Sequence, residues 1–164
     1  MFSLRLFRYL ILAGGTALAM LPHGAEAEPG PAYEAAGLKI TPRSVVSLEN
    51  GRQLHVVVVV ENMSGQDVRV SVGANQAGTY AFDETGGKWT MADLPTGIAS
   101  GYDGCSSGTV LHDGEARPVL YRLPGSQRGA APATITFGTF LYRCSEGRDL
   151  GVPVSIDGIP VHEQ

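Results

Sequence analysis

Ser44-Val45-Val46-Ser47-Leu48-Glu49-Asn50-Gly51-Arg52-Gln53-Leu54-His55-Val56-Val57-Val58-Val59-Val60 is the stretch on which the fold turns. Asn50-Gly51 tolerates the positive φ of a type I′ turn, whose twist matches two antiparallel strands. The segment therefore predicts a hairpin turning at Asn50-Gly51. Its second strand carries five consecutive valines. A short β-branched run that is apolar on both faces belongs in the centre of a packed sheet.

Outward from this hairpin the chain keeps a strand-and-turn rhythm. Val68-Arg69-Val70-Ser71-Val72 alternates, so one face is expected to be buried and one wet. Thr79 to Phe82 reads as a strand, 83–87 as a turn, and Lys88 to Met91 as a further strand. From Ala92 to Gly108 the pattern gives way to a long loop. Val119 to Leu123 and Thr134 to Arg143 are strands, the latter with Ile135, Phe137 and Leu141 on one face. Val152 to Ile156 is the last, followed by a turn at Asp157-Gly158. No segment sustains a 3.6-residue apolar period. Seven or eight strands separated by Gly, Pro and Asn turns predict an immunoglobulin-like sandwich of two antiparallel sheets, with a closed barrel as the alternative.

The N-terminus of the 164-residue chain has the three parts of a secretory signal. Arg5 and Arg8 supply the positive region, Leu10 to Leu21 the apolar run, and Ala25-Glu26-Ala27 the small residues that signal peptidase reads. The run is shorter than the about 20 residues a membrane span needs. The reading is a signal over 1–27, a flexible leader over 28–37 and one β domain over 38–164, exported to the periplasm or beyond, with no membrane span after cleavage. Without Arg5, Arg8 and Glu26 the chain has 10 basic against 15 acidic residues, a net of −5. That balance gives no electrostatic footprint for nucleic acid.

The two cysteines, Cys105 and Cys144, are expected to pair in an oxidising compartment. The bond would close 39 positions, worth about 4 kcal/mol through the unfolded chain. It would pin the end of the long loop, whose Trp89, Leu94, Ile98 and Tyr102 are the candidate binding residues. The competing reading of Trp89 is a cap on the core.

Residues 38–72 resemble the opening of bacterial exported immunoglobulin-like domains of unknown function. The shared features are Val56 to Val60, then Glu61-Asn62, the Ser64-Gly65 turn and Val68-Arg69-Val70. Asp83 with Gly86-Gly87, and Leu111 to Leu123 with its Gly114-Glu115 turn, fit the same plan. The lipoprotein cysteine usual in such proteins is missing. The resemblance implies fold and compartment and brings no active site.

Other residue patterns point to chemistry of different kinds. Gly104-Cys105-Ser106-Ser107-Gly108 matches G-x-S-x-G, but nothing after it starts a helix as a nucleophile elbow requires. His55, His112, His162, Met63 and Met91 are possible copper ligands without paired spacing. Asp83-Glu84 and Asp113 with Glu115 are turn carboxylates without a calcium-loop spacing. Asn62-Met63-Ser64 is a glycosylation sequon. No cofactor is implied. The function expected is a non-catalytic module that recognises a protein or an envelope component. The alternatives are a periplasmic copper-handling protein and, third, a small hydrolase. Intact mass of the protein isolated from its cells checks the processing. The expected value is a chain starting at Glu28 and lighter by two hydrogens than its dithiol form; a mass retaining residues 10–21 contradicts export by cleavage.

Overall fold

A computed structural model of the protein describes residues 30–74, 78–101, 106–125, 130–145 and 148–164. The expected signal, residues 1–27, lies outside the described residues, as do Tyr102 and Cys105. The described chain is an immunoglobulin-like β-sandwich. The first sheet holds β1 (Tyr33–Ala35), β2 (Leu38–Leu48), β3 (Gln53–Asn62) and β9 (Ala116–Pro124) in that order, with β12 (His162–Glu163) on β2. The second holds β6 (Lys88–Thr90), β5 (Tyr80–Phe82), β10 (Thr134–Ser145), β4 (Val68–Gly73) and β7 (Ser100–Gly101), with β11 (Arg148–Pro160) on β10 and β8 (Thr109–Leu111) on β4. The sheets remain separate, so the barrel alternative falls. Pairing is antiparallel except where β7 meets β4 and β12 meets β2.

The hairpin forms at the expected place. Leu48 faces Gln53, and Asn50 and Gly51 have φ of 56° and 82°. The Arg52 amide donates to the Glu49 carbonyl across them. β3 then runs between β2 and β9, in the middle of its sheet. Leu54, Val56, Val58 and Val60 are fully buried on its inner face, each worth about 1.5–3 kcal/mol on burial. Val57 and Val59 lie half-buried on the outer face.

Three expectations need correction. The stretch 28–37 is not wholly a flexible leader, because Tyr33–Ala35 pairs with Leu38–Ile40. The Tyr33 hydroxyl donates to the Pro153 carbonyl of β11 and so joins the two sheets. The long loop contains β7, and Thr96 exchanges backbone hydrogen bonds with Leu120 of β9. Asp157-Gly158 is a bulge inside β11, not a turn after it: the register slips there and Gly158 has φ 70°.

The Thr96–Leu120 exchange also shows which residues of β9 face its outer edge. They are Leu120 and the alternate positions, including Pro118 and Pro124. Proline has no N–H to offer, so this edge is closed to an added strand.

Trp89 latches the ends of the two sheets. It is 1% exposed, and its Nε1 donates to the Gly51 carbonyl in the hairpin turn at 2.8 Å. Its indole occupies the space a side chain at Gly125 would need. Trp89→Phe removes volume and leaves a buried carbonyl without its donor. The expected loss is about 2–4 kcal/mol in urea unfolding, with the sheet spectrum retained; a change under about 0.5 kcal/mol contradicts the latch.

Candidate functional site

The pleat of β10 sorts its side chains. Ile135, Phe137, Thr139 and Leu141 turn into the core. Thr136, Gly138, Phe140 and Tyr142 therefore face outward. β5 does the same: Ala81 is buried, so Tyr80 and Phe82 stand on the outer face. The register sets Phe82 opposite Thr136 and Tyr80 opposite Gly138. On the other side of β10, Ser155 faces Gly138, Pro153 faces Phe140 and Gly151 faces Tyr142. The result is an aromatic face on the second sheet, made of Phe82, Tyr80, Phe140 and Tyr142. Phe82 is 42% exposed and the other three are partly exposed.

The Tyr80 ring lies flat on the sheet. A Cβ built on Gly138 would overlap Tyr80 Cζ while standing 2.8 Å from both Cε atoms, which places it above the ring plane. Only glycine permits this seat. Phe82 is nearly parallel to Tyr80, with ring planes 19° apart and centroids at 5.9 Å. Phe140 reaches diagonally over Gly151, which again has room only for hydrogen. Tyr142 meets Phe140 edge-on, with centroids at 5.0 Å.

Of the four candidate binding residues, the three described ones do not form one surface. Trp89 and Ile98 belong to the core, Leu94 is 52% exposed, and Tyr102 lies outside the described residues. Trp89 and Ile98 turn inward because the core gives them apolar cover that the long loop lacks. Cys144 faces outward on β10 opposite Arg69 and Asp149. Its expected partner Cys105 lies outside the described residues, among which no free cysteine occurs.

The other chemical candidates resolve into turn supports. Ser106 and Ser107 sit in a turn before β8. His112 pairs through Nδ1 with Asp67 at 2.9 Å, and Asp113 accepts from the Gly65 amide. These contacts do not assemble a nucleophile with its base. Met91 is buried in the core, and no group of three His, Cys, Asp or Glu able to hold a metal occurs among the described residues. Asp83 accepts from the Thr85 amide and hydroxyl and the Gly87 amide. Burial raises its pKa, but these hydrogen bonds outweigh it and the carboxyl lies below its ordinary value. Glu115 accepts from the His112 amide and Arg117. Asn62 is fully buried; its amide donates to the Gln66 and Leu111 carbonyls, so the sequon side chain is a structural tie.

No protein-family model matches the sequence, and neither does any curated protein. Among solved structures, the chain is similar to the GAE domain of yeast GGA1, at 14% identity and a TM-score of 0.44, over 76% of this chain and 94% of that one. It is also similar to a PapD-like (ASH) domain of human CEP192, at 13% identity and a TM-score of 0.38, over 90% of this chain and 99% of that one. Among the described residues no helix is long and apolar enough to cross a membrane.

His112 gives the surface a pH response. The hydrogen bond that Nδ1 donates to Asp67, and then the Asp67 charge, raise the imidazole pKa. A raised pKa contributes stability that is full below the unfolded value of about 6.5 and is lost as pH rises through the folded one. Both side chains are well exposed, so the effect is small and screened by salt. The stability difference between the protein and Asp67→Asn should be present near about pH 5.5 and absent above about pH 8.5. Thermal unfolding across that range checks it; a difference that grows with pH contradicts the pairing.

Proposed function

We propose that this chain is an exported, non-catalytic binding module that recognises a protein or another envelope component through the outer face of its second sheet. The observation that carries the reading is the aromatic row Phe82, Tyr80, Phe140 and Tyr142. Aromatic side chains offer large contact area at low entropic cost, and they dominate binding surfaces for that reason. Here they stand on two hydrogen-bonded strands, with glycines 138 and 151 beneath two of them, so the rings are held before any partner arrives.

The signal over residues 1–27 supports work outside the cytoplasm. In that compartment the Cys105–Cys144 bond would tie the end of the long loop to β10, beside Tyr142 on the same strand.

The test is capture from the native envelope, with the isolated protein and its Phe82→Ala form as parallel baits. Phe82 is exposed, so its removal leaves the core intact. A component recovered by the first and reduced at least about tenfold with the second is the expected result. Equal recovery by both removes this face as the binding site. Stoichiometric copper in the isolated protein would favour metal handling instead.

A further inference from the structure

We infer that the aromatic face binds a neutral polysaccharide, the flat faces of its sugar rings stacking on Tyr80 and Phe82. This inference rests on the reading of that face as the binding site and names the class of its ligand.

Three observations carry it. First, the face carries two parallel rings. Tyr80 lies face-down on Gly138, and Phe82 is stacked within 19° of parallel to it, while Phe140 meets Gly151 by the Cζ end of its ring. Tyr80 is partly exposed and Phe82 is 42% exposed, so this pair offers ring surface to solvent. A π-face is negative, and the C–H bonds on the flat side of a pyranose are weakly positive, so the two attract over a matching area.

Second, the face is electrically balanced. The rows Tyr80–Gly138–Ser155, Phe140–Pro153 and Ser71–Tyr142–Gly151 contain no charged residue. Charges occur only at the ends and in opposite signs. Lys88 lies opposite Phe82, with Asp157 in the β11 bulge beyond Thr136; Arg69 and Asp149 flank Cys144 past Tyr142. An anionic or cationic ligand gains no net attraction from this pattern, whereas a neutral one loses nothing.

Third, the rim is hydroxylic. Thr90 lies opposite Tyr80, Thr136 opposite Phe82 and Ser155 opposite Gly138. Hydroxyls both donate and accept, which is what sugar hydroxyls require.

The test uses insoluble chitin and cellulose as β-linked neutral glycans, heparin as an anionic control, and the isolated protein with its Phe82→Ala and Phe82→Tyr forms. The sole tryptophan, Trp89, is buried away from this face, so its fluorescence reports folding independently of ligand. Retention on chitin or cellulose, weakened about tenfold by Phe82→Ala and kept by Phe82→Tyr, with none on heparin, supports the inference. Retention that Phe82→Ala does not change overturns it, because the glycan then binds elsewhere. No retention on either neutral glycan also overturns it. In that case, envelope capture that still depends on Phe82 leaves the binding face standing with a protein as its partner. Loss of both dependences removes the face altogether.

Discussion

A pleated strand cannot send one side chain inward without sending the next one out, and on β10 that constraint sets both the core and the surface. Ile135, Phe137, Thr139 and Leu141 must meet the first sheet. Phe140 and Tyr142, one position out of step, must then leave the core. Large apolar rings on an outer face forfeit part of their burial. The sheet recovers some of it locally, by bringing the end of the Phe140 ring against Gly151 and laying Tyr80 on Gly138. The glycines cost strand propensity, yet without them the rings would stand off the sheet. Core packing and surface shape are therefore consequences of one register.

The sheets meet through an apolar interior that nevertheless contains hydroxyls. Tyr121, from β9, is fully buried and packs edge-on against Phe137 at 5.0 Å. Burial drives its phenol pKa up, although a hydrogen bond from Thr139 acts the other way. Thr139 approaches Thr79 at 3.0 Å and the Tyr121 hydroxyl at 3.4 Å, so the buried groups satisfy one another across the sheets. An unmatched hydroxyl in this place would cost roughly 1–3 kcal/mol. Trp89 on Gly51 and Tyr33 on Pro153 add two further ties between the sheets. Polar matching at a few points thus fixes how two apolar faces are placed on each other.

Much of the fold was legible because its determinants are local. Asn50-Gly51 specifies a turn by itself, and the valine run specifies a buried strand. The inward set Ile135, Phe137 and Leu141 followed from period two. The pairings of Tyr33–Ala35 with β2 and of Thr96 with Leu120 are not legible locally, because they depend on contacts that no turn or period in their own segments encodes. The aromatic face was missed for a related reason. Phe140 and Tyr142 were visible as the alternate set on a strong strand. Their meeting with Tyr80 and Phe82 depends on β5 pairing with β10, some sixty positions apart, which no local pattern encodes. Trp89 and Ile98 belong to the long loop and its start by sequence pattern, and packing takes them inward.

The edges of the sandwich bear on the proposed recognition. A β-sheet protein can bind by adding a strand to an exposed edge or by presenting a face. On β9 the outward positions include Pro118 and Pro124, and Leu120 is already held by Thr96. On β11, Pro153 lacks an N–H and its carbonyl is occupied by the Tyr33 hydroxyl. Neither edge offers an unbroken ladder, which also protects the chain from edge-to-edge association. The outer face of β5 and β10 has the opposite character: regular backbone, seated rings and partial exposure. Recognition through side-chain faces needs no rearrangement of the sheet, so the rigidity that stabilises the fold also preorganises the surface.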